Sequence, residues 1–226
     1  MKSGFRICFF FILFPLFGHT QQKDLWQWST LSFEKKISQK ISLAADEEFR
    51  LFHSITQINL LYTNIGGSYK LSKFFKFSLV YRSLQKRRDD GSYSFRHRVY
   101  VDLLSKCKVS KFLLSYRARF QSQVRDIHSS SDGSVPENYW RSKFDIKLDL
   151  KKKIIPYVAA EFRFQFANPR LREANFSFNR GRYYLGFDYS LSRISTLGFY
   201  YMLQWEYNIN DPERDSVLGI QYGLSL

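Results

Sequence analysis

The amino-acid sequence predicts an all-β fold, an antiparallel transmembrane β-barrel of about 10–12 strands with short periplasmic turns and longer extracellular loops. Three observations predict it. Apolar and polar residues alternate with a period of two through segment after segment, the signature of strands. Short lysine-rich turns alternate with longer polar connections. Aromatic residues make up 19% of the 226 residues, yet mean hydropathy is −0.35. That combination is expected when every second residue faces lipid and its neighbours face a polar interior.

Residues 1–20 read as a secretory signal peptide. Lys2 and Arg6 supply the positive start, Ile7 to Phe17 form an apolar run broken at Pro15, and Gly18-His19-Thr20 offers a small-residue cleavage site. The run is too short to span a bilayer comfortably. Residues 21–226 then form one barrel domain in the bacterial outer membrane. Cys8 leaves with the signal, so Cys107 has no internal disulfide partner. Formal net charge is +15, and Lys2 and Arg6 account for two of these charges, leaving +13 on the mature chain.

Along the chain, strand-like segments start near Trp26, Lys40, Asn59, Phe74, Tyr93, Lys111, Asn138, Ile154, Arg180, Ser195 and Asp215. Short turns fall near Ser38, Ser72, Ser110, Lys152 and Arg193, and the longer connections are Arg87–Gly91, Asp126–Glu137, Asn168–Asn179 and Asn208–Arg214. The alternation is clean in the middle: Phe112, Leu114, Tyr116, Ala118 and Phe120 oppose Ser115, Arg117, Arg119 and Gln121. Two features fit poorly. Trp26-Gln27-Trp28 alternates badly with the residues after it, and an even strand number puts this segment inside the barrel or at its rim, leaving ten strands, unless one more is hidden. Glu47 falls on the apolar side of its segment.

Period alone does not say which face is inside. A soluble lipocalin-like carrier would bury the apolar face, whereas a membrane barrel turns it outward. An arginine at the bilayer midplane costs about 2–4 kcal/mol, so in a membrane Arg96 and Arg98 must point inward. The segment count exceeds a lipocalin's, Trp140, Tyr183, Trp205 and Tyr207 fall on the long-loop side as an interfacial girdle, and the chain ends on alternating Leu218, Ile220, Tyr222, Leu224 and Leu226.

Particular runs carry a family resemblance. They are Glu48-Phe49-Arg50, Leu79-Val80-Tyr81-Arg82, Asp89-Asp90-Gly91-Ser92-Tyr93, Arg96-His97-Arg98, Tyr100-Val101-Asp102-Leu103 and Ser115-Tyr116-Arg117-Ala118-Arg119-Phe120-Gln121. Together they resemble the domain-of-unknown-function 2490 family, found mainly in Bacteroidota, over nearly all of the mature chain. The resemblance implies an outer-membrane barrel without an established activity, and it carries no catalytic residues to transfer.

The polar face holds Arg82, Arg96, Arg98, Arg117, Arg119, Arg141, Arg163 and Arg182 against Asp102, Asp145, Asp149, Glu161, Asp188 and Glu206. On neighbouring strands these form a charge network in the lumen, either structural filling with paired charge or, because arginine outnumbers acid, an anion-binding surface. Lysines cluster instead at the short turns, either as solvated charge or as a ring meeting anionic headgroups. The expected function is non-enzymatic: envelope structure, or binding of lipid, glycan or a partner. Alternatives are a narrow anion-leaning channel and a lipid-modifying enzyme. For the enzyme, the adjacent pairs His53-Ser54 and His128-Ser129 are poor candidates, because adjacent residues on a strand face opposite ways. His97 reads as a rim or packed histidine. No cofactor is expected, and four scattered histidines make no metal spacing. Expected partners are outer-membrane lipids, lipopolysaccharide among them, and the barrel-assembly machinery during insertion. Nucleic acid is not expected, since the charges alternate with apolar residues.

Overall fold

The computed structural model describes residues 23–126 and 131–226. Residues 1–20, read as the signal peptide, and the pair His128-Ser129 lie outside the described residues. The eleven strands in chain order are β1 (Lys23–Lys36), β2 (Ile41–Phe52), β3 (Gln57–Lys70), β4 (Phe75–Arg87), β5 (Tyr93–Val109), β6 (Phe112–Arg125), β7 (Glu137–Leu148), β8 (Ile154–Ala167), β9 (Ser177–Ser190), β10 (Ser195–Glu206) and β11 (Arg214–Ser225). Each pairs antiparallel with the next, and the sheet closes on itself where β1 meets β11.

That closure corrects the expected even number. Eleven strands running alternately up and down leave the first and last pointing the same way, so the seam is parallel, from Lys23 opposite Arg214 to Glu34 opposite Ser225. At its foot Lys36 N donates to Leu226 O and Leu226 N to Glu34 O, both at 2.8 Å. The Trp26 segment is therefore a full wall strand. Trp26 and Trp28 break the apolar-out pattern because they point into the lumen, where Trp28 is 4% exposed.

The faces are those of a membrane barrel. Outward Leu79, Phe95 and Leu185 are 52%, 53% and 63% exposed, while inward Arg82, Arg119 and Glu161 are 6%, 7% and 3% exposed. A soluble carrier has the reverse arrangement. Turns 37–40, 71–74, 110–111, 149–153 and 191–194 share one end, and connections 53–56, 88–92, 168–176 and 207–213 share the other, where β6 also ends and β7 begins. The three register shifts, at Arg50/Leu51, Asn138/Tyr139 and Arg163/Phe164, all sit toward the long-loop end. Such bulges re-aim side chains at a barrel's rim.

On the inner wall, Trp28, Tyr200, Met202 and Val217 form an apolar cluster flanked by Trp26, Tyr157 and Tyr184. Tyr200 lies so flat against β11 that a Cβ at Gly219 would stand 2.0 Å from its ring, so only glycine fits there. This cluster fills the β1, β10 and β11 side and leaves the opposite side of the lumen to charge.

A candidate anion site in the arginine-lined lumen

Period-two geometry sends alternate residues of β2 to β9 inward, and register decides which of them meet. One row crosses six strands: Asp102, Arg119, Arg141, Arg163, Arg180 and Glu206 stand opposite one another in succession. Four arginines in a row repel, so the acids around them set the local geometry. Asp102 holds Arg119 through two hydrogen bonds, at 2.6 and 2.7 Å. Glu161 accepts from Arg117 at 2.6 Å, from Arg182 at 3.4 Å and from Arg141. Glu206 accepts from Arg180.

A second row runs Asp46, Asn64, Arg82, Arg98, Gln123 and Glu137. Arg82 donates to Asn64 Oδ1 at 2.6 Å and stacks on Tyr62 at 3.6 Å. Arg98 donates through Nε and Nη2 to the neutral Gln123 Oε1, at 3.0 and 2.5 Å. Arg82 stands opposite it on β4, and Arg141, Arg119 and Arg50 add to the positive potential it feels. Arg163 likewise donates to a neutral amide, Asn179 Oδ1, at 2.8 Å, and Arg96 to Ser94 Oγ at 3.4 Å. Among the described residues, no carboxylate lies within ion-pair distance of Arg96, Arg98 or Arg163.

These side chains line a cavity of about 470 Å³, carrying thirteen arginines and lysines against six carboxylates; Asp102, Asp145 and Glu206 also pair with the lining Arg119, Lys143 and Arg180, which leaves an excess of four positive charges. Among the described residues, the buried side-chain polar atoms without a hydrogen-bond partner are Trp26 Nε1, Trp28 Nε1, Arg117 Nε, Arg180 Nε and Arg125 Nε, the last of which still faces the Glu137 carboxylate as an ion pair. Every one is a donor. Buried donors ordinarily find acceptors, so the lumen is short of acceptor oxygens as well as of negative charge.

Of the sequence-predicted lumen residues, Arg82, Arg98, Asp102, Arg119, Arg141 and Arg163 face inward along these two rows, and Arg96, Arg117 and Glu161 face inward beside them. Asp145 lies lower, paired with Lys143 at 3.0 Å, and Asp188 meets Lys147 at 2.5 Å. Asp149 leaves the predicted network, because β7 ends at Leu148 and puts it in a turn, where it takes Lys108 at 2.6 Å. Sequence reasoning missed Glu48, Arg50 and Glu137. Arg50 stacks on Trp28 at 3.5 Å and bonds Glu48 at 2.5 Å. Glu137 accepts from Arg170 at 3.0 Å and Gln123 at 3.0 Å, and forms an ion pair with Arg125. The parity of Asp46, Glu48 and Arg50 was the available signal.

Of the predicted girdle, Trp140 donates to Ser142 at 3.0 Å. Tyr183 meets Trp205 edge-on at 5.4 Å and Tyr207 through their hydroxyls at 3.2 Å. Burial and that bond push the Tyr207 phenol up to about 12. Glu47 does face outward, where Thr63 Oγ1 donates to it at 2.6 Å. The same outward row continues through Ser83 to His97, whose Nδ1 bonds the Tyr81 hydroxyl at 2.6 Å. His53 and Ser54 lie in the 53–56 turn with positive φ, their amides donating to Asp24 at 2.8 and 3.0 Å.

Two solved structures share this architecture. LpxR from Salmonella typhimurium superposes with a TM-score of 0.51 at 7% identity, over 82% of this chain and 83% of that one. The beta domain of the Bordetella autotransporter BrkA superposes with a TM-score of 0.53 at 10% identity, over 84% and 86%. At such identity the likeness establishes the outer-membrane-type barrel fold and nothing about activity. Among curated proteins none matches the sequence. The family model described as Protein of unknown function (DUF2490) matches residues 27–215, and the chain belongs to that family.

Proposed function

We propose that this protein is a non-enzymatic outer-membrane barrel whose lumen binds a small, oxygen-rich anion. One observation carries the reading: a lumen cavity whose cations outnumber the lining and paired carboxylates by four, where the buried atoms lacking a hydrogen bond are all donors. A buried cation without an anion is costly, and an anionic solute supplies both the charge and the acceptors. Arg98 is the centre of the site, since its hydrogen bonds go to a neutral amide, Arg82 stands opposite it, and among the described residues no carboxylate is within ion-pair distance.

Titration calorimetry with inorganic pyrophosphate on the folded, detergent-solubilised barrel tests this. Saturable binding that weakens with salt, and at least tenfold with Arg98→Gln, is expected. Absence of binding to wild type at low salt refutes the site. The same arginine excess also favours a second reading, a narrow anion channel. Planar-bilayer recordings separate the two: a silent baseline supports a binding lumen, and unitary steps whose reversal potential favours anions make it a conducting one.

A further inference from the structure

The short-turn rim repeats one local design around its circumference. Leu71-Ser72-Lys73-Phe74, Val109-Ser110-Lys111-Phe112 and Leu191-Ser192-Arg193-Ile194 each set a serine and a base between two apolar residues. Ile37 to Ile41 follows the same order with Gln39 added, and Leu150 and Ile154 enclose three consecutive lysines. In three of these turns the serine braces the backbone. Ser38 Oγ accepts from the amides of Lys40 and Ile41, Ser72 Oγ from Phe74 and Phe75, and Ser192 Oγ from Ile194 and Ser195, all at 3.1–3.3 Å. The flanking side chains are then free to point away. Ile37, Leu71 and Val109 are 55–57% exposed.

Charge at this end is one-sided. Among the described residues, carboxylates reach Lys76, from Glu34 at 3.4 Å, and Lys108, from Asp149 at 2.6 Å. Among the same residues, Lys40, Lys70, Lys111, Lys151, Lys152 and Lys153 have no ion pair. The long-loop end differs, with Asp89, Asp90, Asp126 and Glu173 interleaved with arginines. The apolar outer wall also runs unbroken into the turns, with Phe77 and Phe75 leading to Phe74. Turns lifted clear of the membrane would have no reason to carry exposed apolar tips beside every base.

We propose that the short-turn rim is a collar that binds anionic phospholipid headgroups. The apolar turn residues enter the acyl boundary, and the lysines extend along them to hold phosphates. This rests on the lipid-facing reading of the outer wall. A protein partner would cover one arc, whereas the pattern recurs in all five turns, which fits a leaflet that surrounds the barrel.

The test folds the whole barrel into phosphatidylcholine vesicles with and without phosphatidylglycerol. It measures the relative association of spin-labelled phosphatidylglycerol over phosphatidylcholine. The collar predicts a preference at low salt that disappears at high salt. It also predicts a stepwise fall in Lys73→Gln, Lys111→Gln and Lys152→Gln, with about fivefold less affinity at each altered contact. The heat-modifiable electrophoretic shift should be retained in each variant. An inserted, heat-modifiable barrel without phosphatidylglycerol preference overturns the collar and leaves the rim to an acidic soluble partner. A chain that never inserts or shifts overturns the lipid-facing wall itself.

Discussion

Replacing Glu161 with glutamine removes one negative charge and almost no volume from the middle of the lumen. Glu161 is 3% exposed and accepts from Arg117, Arg141 and Arg182. Without its charge, Arg141 keeps Gln121 at 3.4 Å and Arg182 keeps Gln204 at 2.8 Å. Arg117, whose Nε already lacks a hydrogen bond, loses its ion pair. Removing one partner of a buried ion pair costs about 3–5 kcal/mol. The glutamine oxygen still accepts one or two of the bonds, so the expected loss is about 3 kcal/mol. Urea unfolding of the barrel in vesicles, followed by the heat-modifiable shift, measures it. Because the cost is excess cation, Arg141→Met in the same chain should recover part of the loss, a coupling read from a double-mutant cycle. Pyrophosphate should stabilise the Glu161→Gln barrel more than wild type. A loss under about 1 kcal/mol, with the two substitutions simply additive, would refute the account of the lumen as an acid-starved network.

Three further outcomes are expected. Gly219→Ala drives a methyl into the Tyr200 ring and should cost about 1–3 kcal/mol in the same assay, and Tyr200→Leu should relieve it; a neutral Gly219→Ala would mean the ring is not packed there. Glu47→Leu should stabilise the barrel in vesicles by about 1–2 kcal/mol, since it removes an outward carboxylate from an apolar wall; destabilisation would show that something polar covers that face. Asp126 ties the 88–92 loop to the rim by accepting from Phe95 N, Ser94 and Arg88. Burial opposes its charge, but the bonds from Ser94, Arg88 and Phe95 outweigh it and hold the carboxyl below its ordinary 3.8. A depressed carboxylate contributes stability above its unfolded pKa and loses it as pH falls through the folded value. Hydrogen exchange in residues 88–95, corrected for intrinsic rate, should therefore accelerate below about pH 4 in wild type. In Asp126→Asn it should be fast at every pH, and an unchanged wild-type profile would refute the anchor.

Much of this architecture was legible in the sequence because a strand's two faces alternate independently of what it pairs with. Phe112 to Gln121 announces a strand with an apolar and a basic face, and the inward set from Arg82 to Arg163 follows from parity alone. The turns were legible for the same local reason: Ser72-Lys73 and Ser110-Lys111 interrupt the alternation where the chain must reverse. Parity cannot say how many strands close the wall, because closure is a contact between residues far apart in the chain, Lys23 with Arg214 at one end of the seam. Only tertiary structure decided that Trp26 and Trp28 belong to a wall strand, that β1 meets β11 in parallel, and that Arg119, Arg141, Arg163 and Arg180 share one row. Register between strands also decided the chemistry. Glu161 gathers three guanidiniums and Arg98 none of the acids, a difference set by which residue stands opposite which across a gap of one strand spacing.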